Sequence, residues 1–150
     1  MLSIIIPTLN AAKGLSATVA SIEDRGMTTE ILVVDGGSTD GTVELAKSLG
    51  ARVLTAPSGR GGQLSAGATA AKGGWLMFLH ADTILGPNWS KAATDFMASS
   101  KSANRTGYFN FRLDDGDPWA RRLERIVAWR SRALGLPYGD QGLLMGQEFY

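Results

Sequence analysis

The stretch that decides the fold is Ile31-Leu32-Val33-Val34-Asp35-Gly36-Gly37-Ser38-Thr39-Asp40-Gly41-Thr42. Its first four residues are apolar without interruption, which predicts a strand covered on both faces instead of one with a wet side. The run ends on a carboxylate followed by glycines and hydroxyl residues, which is turn chemistry. Val43, Ala46 and Leu49 then recur at helical spacing, and Gly50 is placed to end that helix. Strand, polar turn and helix in this order make one unit of an α/β fold with a mainly parallel sheet.

The same unit recurs on either side. Upstream, Ile4-Ile5-Ile6 is a buried strand, Pro7-Thr8-Leu9-Asn10 its turn, and Leu15, Val19 and Ile22 one face of the next helix. Downstream, Arg52-Val53-Leu54 is a third strand, and the loop Pro57-Ser58-Gly59-Arg60-Gly61-Gly62 leads into an alanine-rich helix from about Gln63 to Lys72. Trp75-Leu76-Met77-Phe78-Leu79 is a fourth strand with His80-Ala81-Asp82-Thr83 at its C-terminal end. Trp89, Ala93, Phe96 and Met97 mark another helix, and Tyr108 to Leu113 alternates like a half-exposed strand. Pro118 opens an amphipathic helix that runs to about Leu134. Ligands of such sheets bind beyond the C-terminal strand ends. Four polar clusters, at Pro7 to Asn10, Asp35, Arg60 and Asp82, are therefore expected on one edge.

A length of 150 residues is one domain's worth. The formal charge of +1 gives no broad basic field, so nucleic acid is not an expected partner. With no cysteine, disulfides, thiolate zinc sites and cysteine nucleophiles are excluded together. Pro7 cuts the N-terminal apolar run short of an export signal, and no run approaches a membrane span. The expectation is a soluble cytoplasmic protein.

The glycines suggest phosphate loops, but neither familiar pattern is present. Gly59-Arg60-Gly61 begins like GxGxxG, yet Leu64 stands at the third glycine position, and no GxxxxGK[ST] occurs. What remains is two carboxylates, Asp35 and Asp82, each at the end of an apolar strand. A carboxylate there can accept hydrogen bonds from a sugar or base, or hold a hard divalent cation. Asp35 is equally suited to forming a turn, and Asp40 to capping the helix near Thr42. His80 is the only histidine and reads first as a packed residue, its nearness to Asp82 raising a ligand role. Arg60 can pair with phosphate or stand in solvent.

Together these clusters resemble family 2 glycosyltransferases, the inverting enzymes of GT-A fold. Residues 3–10, SIIIPTLN, look like that family's first strand and nucleotide loop. ILVVDGGSTDGT is similar to its second strand and acidic turn, and WLMFLHADT, residues 75–83, to its DXD-bearing strand. The combination with Tyr138-Gly139-Asp140-Gln141 looks like a bacterial subgroup. The resemblance implies a Rossmann-like GT-A fold, a mainly parallel sheet with helices on both faces. It implies one glycosyltransferase domain over 1–150, with about 1–113 binding the nucleotide sugar and about 114–150 beginning the acceptor side. It also implies single-displacement transfer from a nucleotide diphosphate sugar to an unknown acceptor, a lipid-linked one included. Pro7, Thr8 and Asn10 would line the nucleotide pocket, Asp35 and Gly36 would meet the nucleoside, and Arg60 would lie near the nucleotide. His80, Ala81 and Asp82 would form the diphosphate side, with Asp82, and more weakly His80, as ligands of Mn²⁺ or Mg²⁺.

Three departures qualify that picture. Many relatives carry a second acid where this chain has Gly36, and His80 replaces the first acid of DXD. No residue matches the general base, because Gly142 to Gly146 looks like the strand before it and only Gln147 to Tyr150 follow. The C-terminal part reads as incomplete, which leads us to expect donor binding with little turnover and self-association through uncovered apolar surface. A silent nucleotide-sugar-binding module and a nucleotidyltransferase are the alternatives.

The helix from Trp119 to Leu134 is the remaining feature. Trp119, Leu123, Ile126, Val127 and Leu134 share one side, while Arg121, Arg122, Arg125, Arg130 and Arg132 crowd the rest. It can pack as an ordinary helix with a basic solvent face, or rest peripherally on the inner face of an anionic membrane.

Overall fold

A computed structural model of the chain describes residues 1–22, 26–100, 102–134 and 142–150. Among the described residues six strands and five α-helices alternate: β1 (Leu2–Thr8), α1 (Ala12–Ile22), β2 (Thr29–Asp35), α2 (Thr42–Ser48), β3 (Arg52–Thr55), α3 (Arg60–Ala70), β4 (Trp75–Phe78), α4 (Trp89–Met97), β5 (Gly107–Tyr108), α5 (Pro118–Leu134) and β6 (Leu143–Gly146). They form one sheet in the order β3-β2-β1-β4-β6-β5. The first four strands pair in parallel, and β6 runs antiparallel to both β4 and β5. The expected α/β class and mainly parallel sheet are both found.

Burial on both faces explains the unbroken apolar runs. On one face, Ile4, Ile6 and Val33 pack with Leu15, Val19 and Ile22 of α1, Ala46 of α2, and Trp89 and Ala93 of α4. On the other, Ile5, Leu32, Val34, Leu76 and Phe78 meet Ala68 of α3. The small residues of α3 let it lie close to the sheet. A Cβ on Gly67 would stand 2.4 Å from Cγ2 of Ile5 and 3.0 Å from Cγ2 of Val34, so only glycine fits this approach.

The chain leaves β1 for β2 and β3 on one side and returns to β4 on the other. The switch in strand order therefore falls between β1 and β4, where open α/β sheets form their ligand crevice.

Three expectations need correction. The strand expected over 108–113 is confined to Gly107–Tyr108, because β6 presents only Leu143 and Leu144 as partners there. Arg60 is not in a loop but begins α3. On α5, Val127 is buried, but Trp119, Leu123 and Ile126 are exposed, because the helix packs through Ala120, Val127 and Ser131 instead. The Tyr138 to Gln141 motif with Asp140, and the side chains of Arg132 and Leu134, lie outside the described residues.

Candidate functional site

The loops after β1 and β2 are tied together before they can hold anything else. Asp35 ends β2 and is 2% exposed. Its carboxylate accepts from the backbone N–H of Gly37 at 2.9 Å and of Ser38 at 2.8 Å, from the Ser38 hydroxyl, and from Thr8 Oγ1 at 3.0 Å. Burial pushes the carboxyl up, but these donors outweigh it and hold the group below its ordinary value. Asn10, with φ of 53°, is in the left-handed region that asparagine tolerates. Its Oδ1 accepts from the Thr39 N–H at 2.9 Å, and its own N–H donates to Ser38 Oγ at 2.8 Å. Asp40 serves two helices at once. One oxygen accepts from the Thr42 hydroxyl and N–H at the start of α2, and the other from the Ala12 N–H of α1 at 3.1 Å.

Gln63 joins these loops from the opposite face. It is buried, and its Nε2 donates to the carbonyls of Thr8 at 2.8 Å and Val34 at 2.7 Å. The Gly36 N–H also donates to the Thr8 carbonyl at 2.9 Å. A Cβ at Gly36 would come within 3.2 Å of that same Gln63 nitrogen. Position 36 is thus already crowded by a buried amide.

Asp82 is placed by α1. The Thr18 hydroxyl donates to the Ala81 carbonyl at 2.8 Å, and a Cβ on Gly14 would lie 3.3 Å from Cα of Asp82. The first turns of α1 therefore press against the backbone that carries the carboxylate. The Asp82 side chain itself is exposed. Opposite it, Arg60 directs Nη2 to within 3.5 Å of His80 Nδ1. Guanidinium only donates, so any hydrogen bond between the two is accepted by the imidazole nitrogen.

The result is a cleft of about 530 Å³ beyond the ends of β1 and β4. Pro7, Thr8 and Asn10 line one wall, His80, Ala81 and Asp82 another, and Arg60 stands at the helix that closes the third. Seven of the nine residues expected at the site are thus brought together. Asp35 and Gly36 do not line the cleft, and Asp35 gives its carboxylate to the turn behind it.

Sequence reasoning missed Lys13, Gln63 and Thr18. Lys13 lines the cleft from the first turn of α1, where a cation is disfavoured by the helix dipole; that misplacement was the available signal. Gln63 is four residues before Gly67 on the face of α3 that meets the sheet, a polar residue at an inward position. Thr18 is likewise a buried hydroxyl between Leu15 and Val19.

Among the described residues no group of three or more histidine and acidic side chains gathers around a point. Among the described residues Asp82 alone offers an accessible carboxylate in the cleft, whose lining also holds the cations Lys13 and Arg60. That donor set fits a hard cation completed by ligand oxygens, the usual manner of Mg²⁺, and does not fit an all-protein cage.

Fold and cleft together define a Rossmann-like GT-A domain. The profile described as Glycosyl transferase family 2 matches residues 3–145, and the chain belongs to that family. A PGL/p-HBAD biosynthesis glycosyltransferase of Mycobacterium tuberculosis is 41% identical over 93 residues, covering 57% of this chain and 36% of that protein. Glycosyltransferase AglJ of Haloferax volcanii is 44% identical over 59 residues, covering 39% of this chain and 19% of that protein. The chain thus spans about a third of the length of the mycobacterial relative. Among solved structures, glucosyl-3-phosphoglycerate synthase from Mycobacterium tuberculosis, in complex with UDP, superposes with a TM-score of 0.72 at 22% identity, over 99% of this chain and 57% of that one. The mannosyltransferase PcManGT from Pyrobaculum calidifontis, with GDP-Man and Mn²⁺, gives 0.72 at 19%, over 98% and 44%. At these identities the likeness concerns the fold.

Proposed function

We propose that the cleft binds a nucleotide diphosphate sugar and that the protein acts in inverting transfer of the sugar to an acceptor. The observation that carries this reading is the placement of Lys13, Arg60 and Asp82 around one crevice at the switch point of the sheet. Thr8 and Asn10 form the nucleoside wall, and Arg60 and Lys13 face the diphosphate. Asp82 holds a divalent cation, Mn²⁺ or Mg²⁺, through one carboxylate. A bound cation stabilises the charge that builds on the leaving diphosphate oxygens. His80 stands beside Arg60, its Nδ1 3.5 Å from the guanidinium, and orients that group. Residues 1–113 are then the donor half, and 114–150 begin the acceptor side. The structural neighbours solved with UDP, and with GDP-Man and Mn²⁺, support this reading.

Among the described residues, Asp82 is the only carboxylate lining the cleft. A carboxylate that holds the cation is not free to take the acceptor's proton. The base for the acceptor would then be a group other than Asp82; a silent donor-binding module is the second reading, and turnover of bound donor separates the two.

The test is a thermal-shift screen of nucleotide diphosphate sugars with Mn²⁺ and with Mg²⁺, repeated on Asp82→Asn. Binding to the folded state raises the midpoint by mass action. A metal-dependent shift in the native chain, absent in Asp82→Asn, is the expected result. If the shift survives in Asp82→Asn, the assignment of Asp82 is wrong.

A further inference from the structure

We propose that the outward face of α5 docks on an anionic lipid bilayer. The helix Pro118–Leu134 has 17 residues, a length of about 25 Å. Ala120, Val127 and Ser131 are buried on its inner side. Trp119, Leu123, Ile126 and Trp129 form a row along the outside and are 70, 47, 53 and 64% exposed. Scattered apolar side chains are ordinary on a surface, but a continuous row with two tryptophans marks a contact face.

Charge selects the occupant. Arg122 and Arg125 stand exposed beside the row, with the Arg122 guanidinium 5.2 Å over the Trp119 ring. Glu124, the only acid of the helix, is turned inward, where it accepts from the Leu113 N–H at 2.8 Å and pairs with Arg121. The outward face thus presents cations and apolar groups with no carboxylate among them. Asp114, Asp115 and Asp117 stand exposed just before the helix, off its outward row, and the carboxylates of Asp115 and Asp117 accept from the backbone N–H of Asp117 and Trp119. A lipid phosphate layer complements this face, whereas a second copy pairing through it would bring arginines toward arginines. Indole rings suit the boundary of headgroup and acyl chain, and arginine stems lie along apolar surface with their heads among phosphates.

The inference is independent of donor binding, and its test uses no nucleotide. The full chain is sedimented with vesicles of phosphatidylcholine and with vesicles of phosphatidylcholine mixed with phosphatidylglycerol. Binding is expected to the anionic vesicles and should weaken with added salt. Arg122→Gln and Arg125→Gln should each weaken it about fivefold. The double variant Trp119→Ser, Trp129→Ser should abolish it with the thermal midpoint unchanged, since both rings are solvent-facing in the free protein. Equal binding to neutral and anionic vesicles, or no binding to either, overturns the proposal. So does a dimer in velocity sedimentation that the tryptophan variant dissolves, which would assign the face to a second copy.

Discussion

The Thr18 hydroxyl donates to the carbonyl of Ala81 at 2.8 Å across 63 residues of sequence. Together with the close approach of Gly14 to Asp82, this contact makes helix α1 the support on which the accessible carboxylate rests. Thr18→Val keeps the shape and removes the donor, leaving a part-buried carbonyl without it. We expect a loss of about 1–2 kcal/mol in stability. A larger proportional loss is expected in cation-dependent donor affinity, read by titration calorimetry with Mn²⁺. A stability loss with unchanged affinity would show that Thr18 does not position Asp82.

Arg60 is exposed at the mouth of the cleft, so removing its charge should leave the fold intact. Arg60→Met should weaken binding of a nucleoside diphosphate about tenfold or more, as expected for a charge-assisted contact to phosphate. Arg60→Lys should recover only part of that, because an ammonium cannot reproduce the planar fork. Equal affinities in all three proteins would remove Arg60 from the diphosphate wall.

Asp35 makes the fold acid-sensitive. Its ordinary carboxyl value is 3.8, and its donors hold the folded-state value below that. The unfolded chain therefore takes up the proton first as pH falls. The stability contributed by Asp35 is fully present above about pH 5 and is lost as pH drops through the lowered value. Urea midpoints measured from pH 6 to pH 2.5 should fall toward the acid end. Asp35→Asn should be less stable at pH 6, by roughly 2–3 kcal/mol, and should show a shallower acid slope. A parallel slope would mean that other carboxylates, such as Glu30 with its donors Ser3 and Lys72, dominate the response.

Gly67 tests the packing of α3. In an isolated helix, alanine in place of glycine stabilises by about 1 kcal/mol. Here the new Cβ would meet Ile5 Cγ2 at 2.4 Å, against the sheet and not against solvent. Gly67→Ala should therefore destabilise by about 1–3 kcal/mol from overpacking. That lowers the thermal midpoint by several degrees, read by circular dichroism. A raised midpoint would mean that α3 can lift off the sheet at little cost.

Most of the architecture is legible in the sequence because it depends on local pattern. Unbroken apolar runs such as Ile4 to Ile6 and Ile31 to Val34 can only be buried on both faces, and helices at 3.6-residue spacing supply the cover. The cleft followed from the same logic, since Pro7 to Asn10 and His80 to Asp82 stand at strand ends. The roles of individual polar groups did not follow, because a carboxylate after a strand looks the same whether it faces a ligand or a turn. Only tertiary structure decided that Asp35 gives its oxygens to Gly37, Ser38 and Thr8, while Asp82 keeps its own exposed. The same holds for α5. Its periodicity identified an apolar side, but which side meets the protein depends on what the neighbouring surface can accept. There the small Ala120 and Ser131 pack inward with Val127, and Trp119 and Trp129 are left outside.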